Sequence, residues 1–462
     1  MPAPVSPRPA IAATTLLLVA LVLPWNLGFG ITIPNSNKTL WVLLLVVTVF
    51  SVGALPLRGS WLRLAFNIPY LLLVAAFVAI SVVQSVRYGG SVTVPNGVGP
   101  GAWWGIAGSL LSAQPTLTSA DDQDDKVRRW QTCARLCGYA GIAGATMSFL
   151  FNLVWRIRYA LAGSMGSTGV DRQSIAVIGT AVVYGLAALA AVVVASRIIR
   201  QRSEAARLVT IALGVSTLAA GALLWALPFG RELDAFHGIA QNTSTAGVGY
   251  EGYLAWAAAA AMIAPLSLRT FVTTHPMNRA ILRQAIHEGL LLITVWCFAS
   301  MTMRITDLAV AVGLDFPYSR YDSMTLAAFD LATAVLALWL RINLSNRALS
   351  ARPVWVVSGF VFTLTVSRVI LGIALAPRFA GSVRTAGPVY GNNLAQQITS
   401  TFDVVLCGVA LCLLAMAILN RDLGQKRRRG PDSGQPQPLA VTAAASQHRS
   451  QPPRIFRVHP TG

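Results

Sequence analysis

Apolar segments of membrane-spanning length recur along most of this chain and are separated by polar loops. A helix needs about 20 apolar residues to cross the hydrocarbon core of a bilayer, where backbone groups have to be paired internally. The pattern therefore predicts an all-α fold, a polytopic transmembrane helical bundle. The apolar runs lie near 10–30, 40–57, 64–86, 101–117, 134–157, 175–195, 208–229, 251–268, 287–311, 323–341, 354–376 and 397–419.

The fourth run, GAWWGIAGSLLSAQPTL, is short and rich in small residues, so it is compatible with two topologies. If it crosses the bilayer the bundle has about 12 spans, and if residues 101–117 are re-entrant it has about 11. Most loops between the runs are short, so consecutive helices are expected to pair as helical hairpins.

The composition excludes an ordinary soluble domain. Hydrophobic residues make up 55% of the chain and charged residues 11%, with a mean hydropathy of +0.60. Soluble domains carry roughly 25% charged residues. The net charge of +19 does not indicate a nucleic-acid partner, because the arginines cluster at the ends of the apolar runs and are not interleaved with aromatic residues. We expect the lipid bilayer as the partner and no nucleic acid.

The distribution of the arginines predicts the orientation. With the N-terminus inside, the inner loops carry far more Lys and Arg than the outer loops, as the positive-inside rule requires. Removing the fourth span inverts only the first three, so the C-terminus stays inside in either topology. We therefore predict a multi-pass protein of the bacterial inner (plasma) membrane with cytoplasmic N- and C-termini.

Three segments are expected along the chain. Residues 1–9 form a short N-terminal tail, residues 10–419 the transmembrane helical domain, and residues 420–462 a basic cytoplasmic tail. The C-terminal tail is polar and has no apolar face, so we expect it to be disordered. Its basic run at Arg427–Arg429 lies where anionic headgroups attract each cation by about 1 kcal/mol.

The last four runs contain one charged pattern twice. In the first copy, FASMTMR places Arg304 within an apolar helix, and TLAAFDLATAV places Asp330 in the following helix. In the second copy, FTLTVSR and ITSTFDVVLCG place Arg368 and Asp403 in the same way. Each copy is a predicted hairpin with an arginine in its first helix and an aspartate in its second. Charges inside a bilayer are costly and are usually paired or turned towards the bundle interior.

Helix geometry places the members of each pair at a common depth. Arg304 is expected roughly 24 Å along its span, past the middle of a hydrocarbon core of roughly 30 Å. Asp330 is expected roughly 10 Å below the outer surface. The same calculation gives Arg368 and Asp403 similar depths in the second hairpin. The arginine and the aspartate of each hairpin are therefore predicted to meet in the outer leaflet. Asp307, three residues after Arg304, is an alternative partner.

Two interpretations of these charges remain open. In one, each neutral pair only locks two helices together. In the other, Arg304 and Arg368 face an outward-open cavity and bind an anionic group, since an arginine fork suits a phosphate or a carboxylate. Asp330, Asp403 and Asp307 then hold the arginines or relay a proton.

No catalytic or metal-binding motif stands out in the sequence. The chain has no P-loop, GxSxG, HExxH or CxxC motif. Cys133 and Cys137 lie on one helical face, but no further ligands are spaced for a metal, so inert thiols are expected. We predict no catalytic residues, no metal site and no cofactor, and the sequence does not indicate an enzyme.

Two short segments resemble known sequences. LPWNLGFG at the end of the first run and GPGAWWGIAG at the start of the fourth resemble uncharacterised multi-pass membrane proteins of actinobacteria, a resemblance that implies no known activity. Two characterised classes do not match. The first outer loop, ITIPNSNKT, lacks the acidic residues of polyprenyl-phosphate-dependent glycosyltransferases, and the turn RGSWLR lacks the acid of the major-facilitator signature.

The leading hypothesis is a transporter, a permease or flippase for an anionic small molecule or a lipid headgroup. It rests on the even number of spans, the hairpin repetition, the scarcity of soluble loops and the buried Arg/Asp pairs. One alternative is a structural or assembly membrane protein without transport activity. A second is a lipid-linked cell-envelope transferase, in which carboxylates would cluster at an outer cavity.

Overall fold

A computed structural model describes most of the chain, and every regular element in the described part is a helix. The described residues are 8–26, 28–31, 33–57, 59–87, 98–114, 121–164, 172–226, 279–315, 320–345, 351–375 and 401–428. The helices are α1 Arg8–Val22, α2 Lys38–Gly53, α3 Ser60–Arg87, α4 Pro100–Ala113, α5 Asp121–Ser164, α6 Arg172–Arg200, α7 Glu204–Ala226, α8 Arg279–Gly313, α9 Arg320–Ser345, α10 Ala351–Ala374 and α11 Thr401–Arg428. Each overlaps one predicted apolar run, and the run at 251–268 lies outside the described residues.

Eight of these helices, α3 and α5 to α11, are long and apolar enough to cross a membrane. Large apolar side chains such as Leu72, Val83, Phe360 and Ile370 point away from the bundle, as they do where a helix faces lipid. The chain is therefore a membrane protein with an all-α fold. The expected number of about 12 spans is not confirmed, because α1, α2 and α4 are shorter than a span.

The described helices pack around two apolar clusters. The larger is built by residues of α5 to α11, and the smaller by α1 to α4 together with Leu218 of α7. In the larger cluster, α5 packs on α6, α8 on α9 and α10 on α11, so these three consecutive pairs are the predicted hairpins. The N-terminal part differs from the prediction, because α1 makes its main contact with α4 and only a minor one with α2.

A short and almost completely buried helix explains this difference. Helix α4 has 14 residues, of which 11 are buried, and at 1.5 Å per residue it is only about 21 Å long. A Cβ added at Gly108 would lie 2.8 Å from Leu17 Cγ of α1, so the small residue brings the two helices close together. The fourth run is therefore a helix enclosed by protein, where a segment shorter than the bilayer is tolerated.

The first turn of α4 is bonded to the segment that follows α1. The backbone N–H of Gly99 donates to the carbonyl of Trp25 at 2.6 Å, and that of Gly101 donates to the carbonyl of Pro24 at 2.8 Å. A Cβ on Gly101 would lie 2.6 Å from Leu23 O, so this close approach requires glycine. These bonds satisfy donors that a helix N-terminus leaves unpaired.

The other end of α4 is bonded to a buried arginine on α3. Arg63 donates from Nη1 to the carbonyl of Gln114 at 2.6 Å, from Nη2 to that of Leu55 at 2.6 Å and from Nε to that of Ala54 at 3.2 Å. One guanidinium therefore satisfies carbonyls at the C-terminal ends of both α2 and α4. The sequence suggested only a positive-inside role for Arg63, and the bonds to two helix ends are a further role.

The last described helix runs past the predicted start of the C-terminal tail. Helix α11 continues to Arg428, beyond the expected end of the transmembrane domain at residue 419. Residues 429–462 lie outside the described part of the chain, as do the side chains of Arg427–Arg429.

Candidate functional site

The last four helices each bring one buried charge to a common point between them. On α8, Trp296, Ser300 and Arg304 recur every four residues, so they lie on one face of the helix, and all three are buried. Asp330 on α9 is 0% exposed. Arg368 on α10 and Asp403 on α11 are each 4% exposed, and Arg304 is 6% exposed. All four charges are therefore almost completely shielded from solvent.

The four charges form a continuous chain of ion pairs. Arg304 Nε donates to Asp330 Oδ2 at 3.0 Å. The other oxygen of Asp330 forms an ion pair with Arg368 Nε, and Arg368 Nη1 donates to Asp403 Oδ1. We call this set, Arg304, Asp330, Arg368 and Asp403, the four-charge network.

Two polar side chains of α8 complete the bonding of the four-charge network. Arg368 Nη2 donates to Ser300 Oγ at 2.6 Å, and Trp296 Nε1 donates to Asp403 Oδ1 at 2.5 Å. The Trp296 ring packs edge-on against Phe402, with ring centroids 4.5 Å apart. Asp403 thus accepts bonds from α8 and α10 while its own helix packs against the tryptophan. This fixes the relative rotation of three helices.

The charges of the four-charge network balance at two positive and two negative. Removing an ion from water costs several kcal/mol even after relaxation, and only close pairing with further hydrogen bonds offsets that cost. Asp330 lies between two guanidiniums, and Arg368 lies between two carboxylates. The pair of Asp330 and Arg368 therefore links the two hairpins. Arg304 and Asp403 each link the two helices of their own hairpin.

Each predicted residue can now be placed. Arg304 contacts Asp330 and Arg368 contacts Asp403, which is the pairing that the depth argument predicted for each hairpin. The ion pair between Arg368 and Asp330, which joins the two hairpins, was not predicted. Asp307 accepts a hydrogen bond from the Tyr184 hydroxyl and so connects α8 to α6.

Trp296 and Ser300 were missed by the sequence reasoning. The sequence pattern that could have identified them is the four-residue spacing that ends at Arg304. This spacing places two polar groups on the same helical face as the arginine.

A metal site finds no support in the described part of the chain, where no group of three or more His, Cys, Asp or Glu side chains is placed to hold an ion. All five cysteines are free thiols, with Cys133 exposed and Cys297 buried. Cys133 and Cys137 lie on α5, far along the chain from the four-charge network.

Eight apolar helices and a charge network buried between four helices define a polytopic all-α membrane protein. The model of one family, described as "Domain of unknown function (DUF7937)", matches residues 10–422. The chain belongs to this family, whose activity is uncharacterised, and the expected resemblance to an uncharacterised membrane-protein family is confirmed to that extent. No match was found among curated proteins or among solved structures.

Proposed function

We propose that this protein is a carrier, a permease or flippase, for an anionic small molecule or lipid headgroup in a bacterial plasma membrane. Its N- and C-termini lie in the cytoplasm in this proposal. The observation that carries it is the four-charge network, which buries two arginines and two aspartates between two copies of one hairpin. Ionisable groups within membrane segments are rare and are found along substrate and ion pathways.

The chemistry of the four-charge network supports an anionic substrate. A guanidinium presents its donors in a planar fork that matches carboxylate and phosphate oxygens, and here two guanidiniums bind the two oxygens of Asp330. Asp330 thus occupies the position that a substrate anion would take between Arg304 and Arg368. Protonation or rotation of the aspartate frees both arginines, and an incoming anion replaces its charge.

The energetics also favour a functional role. Replacing a buried ion pair by neutral groups of similar volume is often neutral or stabilising, so helix locking alone does not require four charges. Asp403 orients Arg368, with Trp296 fixing the carboxylate in turn. Asp307 and Tyr184 extend the polar connections of α8 to α6 and support a route for a proton.

A charge-free variant tests the proposal. The changes Arg304→Gln, Asp330→Asn, Arg368→Gln and Asp403→Asn together keep a polar side chain at each position and remove every charge of the four-charge network. We expect this variant to insert and to melt within a few degrees of wild type, because no buried charge is left unpaired. A deletion strain carrying it should accumulate the same metabolites and lipids as the deletion strain alone.

Arg172→Gln is the matched control, since Arg172 is an exposed arginine at the start of α6. It should restore the wild-type metabolite and lipid profile. A stable charge-free variant that restores that profile as fully as wild type would remove the transport proposal.

One observation favours a structural or assembly protein as the second candidate. Both arginines are already bonded to carboxylates, and Arg368 also to Ser300, so each arginine has a partner without a substrate. Under this alternative the charge-free variant keeps its function. The transferase alternative gains no support from the described residues, where the buried carboxylates of the network are paired with arginines.

A further inference from the structure

Basic side chains from three helices gather at the end of the bundle that the arginine count predicts to be cytoplasmic. Arg197 lies in the last turn of α6, His287 and Glu288 lie on α8, and Arg341 lies near the end of α9. Arg341 is 11 residues beyond Asp330, which places it about 16 Å along α9 from the four-charge network. This second group of charges is therefore separate from the proposed transport site.

The members of this group lie close enough for their charges to act on one another. Glu288 attracts the guanidinium of Arg341, and Arg197 repels it. His287 is repelled by Arg341 and attracted by Glu288. With His287 neutral, two arginines and one glutamate leave one positive charge without a counter-charge.

A donor of Arg341 also lacks an acceptor. Its Nη1 atom is buried, and no group among the described residues accepts a hydrogen bond from it. Buried donors are nearly always paired, so an exception calls for a ligand or an ordered solvent molecule. The guanidinium thus combines an uncompensated charge with an unused donor.

The neighbouring side chains place this donor at the level of lipid headgroups. Trp339 is 46% exposed and Ile342 is 53% exposed, so α9 presents an aromatic and an aliphatic side chain outward beside Arg341. Tryptophan is enriched at the membrane interface, where its ring meets the headgroups. Basic pockets between helices on the cytoplasmic side bind phosphate-bearing headgroups.

We propose that Arg341, together with Arg197 and His287, forms a phosphate-binding site at the inner ends of α6, α8 and α9. A phosphodiester carries one negative charge and balances the single excess positive charge of the group. The anionic headgroup of a phospholipid supplies such a group at this depth, and inorganic phosphate supplies the same chemistry from solution. The proposal does not depend on the transport function.

Native mass spectrometry of the full-length protein in mild detergent tests this site. Phosphatidylglycerol, phosphatidylcholine and inorganic phosphate are titrated separately against wild type, Arg341→Gln and Arg352→Gln. Arg352 is the matched control, an exposed arginine at the start of α10. We expect wild type to bind phosphatidylglycerol more tightly than phosphatidylcholine, and Arg341→Gln to bind it at least about tenfold more weakly, the effect of losing about 1.4 kcal/mol. Arg352→Gln should bind like wild type.

The outcomes separate the two sources of phosphate. Competition by millimolar inorganic phosphate supports the site and assigns it to a soluble anion, and absence of competition assigns it to the lipid. If Arg341→Gln does not fold, Arg197→Gln replaces it, because Arg197 is exposed and its loss leaves the packing intact. Unchanged phosphatidylglycerol binding in the folded variant, or an equal loss in Arg352→Gln, overturns the proposal.

Discussion

Arg368 forms an ion pair with Asp330, although the two residues belong to different helical hairpins. Arg368 is also bonded to Asp403 in its own hairpin, and Asp330 to Arg304 in the other. The last four helices are therefore connected through one buried polar path. A change at any member is expected to affect both hairpins.

The charge balance of the four-charge network predicts how single and paired substitutions differ. Asp330→Asn leaves two buried guanidiniums with one carboxylate, and breaking a buried pair in this way costs about 3–5 kcal/mol. Combining Asp330→Asn with Arg304→Gln restores neutrality, so the double variant should melt above the Asp330→Asn variant. Thermal unfolding in detergent or in nanodiscs measures the melting temperatures of the single and the double variant. Additive losses of stability would contradict direct coupling between the two residues.

The hydrogen bonds of Arg63 predict that its substitution lowers stability strongly, although the residue lies near the end of a helix. Arg63→Gln removes donors from the carbonyls of Ala54, Leu55 and Gln114, and hydrogen bonds to a charged group contribute about 1.5–3 kcal/mol each. We expect a clear fall in melting temperature and faster proteolysis near α4. Lys38→Gln, at the exposed start of α2, is the matched control and should melt like wild type. Equal melting temperatures for all three proteins would exclude this bonding.

The contact between α3 and α4 predicts a size limit at one glycine. A Cβ at Gly105 would lie 2.3 Å from the Tyr70 hydroxyl oxygen, and Tyr70 is completely buried. Gly105→Ala should therefore lower stability by about 1–3 kcal/mol, as overpacking does. Adding Tyr70→Phe removes the clashing atom and should recover part of the loss. Gly179→Ala is the control, because no atom lies within 4 Å of its added Cβ, and it should be neutral or stabilising.

Cysteine labelling tests the predicted orientation. In a variant without the native cysteines, Arg202→Cys reports on the exposed segment between α6 and α7, and Pro34→Cys on the exposed segment between α1 and α2. A membrane-impermeant maleimide should label Pro34→Cys in intact cells and Arg202→Cys only in inverted vesicles. Labelling of Pro34→Cys only in inverted vesicles would show that the N-terminus is outside, and labelling of Arg202→Cys in intact cells would contradict a cytoplasmic C-terminal half.

The sequence was sufficient to predict the helices and the pairing within each repeated hairpin. Helices were predictable because the bilayer sets both the length and the polarity of a spanning segment. The pairs Arg304–Asp330 and Arg368–Asp403 followed from depth along adjacent helices. The ion pair between Arg368 and Asp330 did not, since it depends on how one hairpin is rotated against the other, which hydropathy does not determine.

The N-terminal part was less predictable for a different reason. Arg63 has the same sequence signature as an arginine of the positive-inside rule, and only the fold places two helix ends around it. Similarly, the small residues of α4 favour close packing without indicating the partner. The main contact with α1 depends on the segment at Pro24 and Trp25, whose carbonyls accept the first bonds of α4.

The enclosed position of α4 has a consequence for the order of membrane insertion. A segment this short gains too little by entering lipid alone, so the translocon cannot retain it as an independent anchor. Trp104 donates a hydrogen bond to the carbonyl of Leu218, 114 residues later in the chain. Helix α4 can pack on α1 and α3 beforehand, but this hydrogen bond has to wait until the ribosome has released α7. Assembly of the N-terminal half is completed only after synthesis has moved well beyond it.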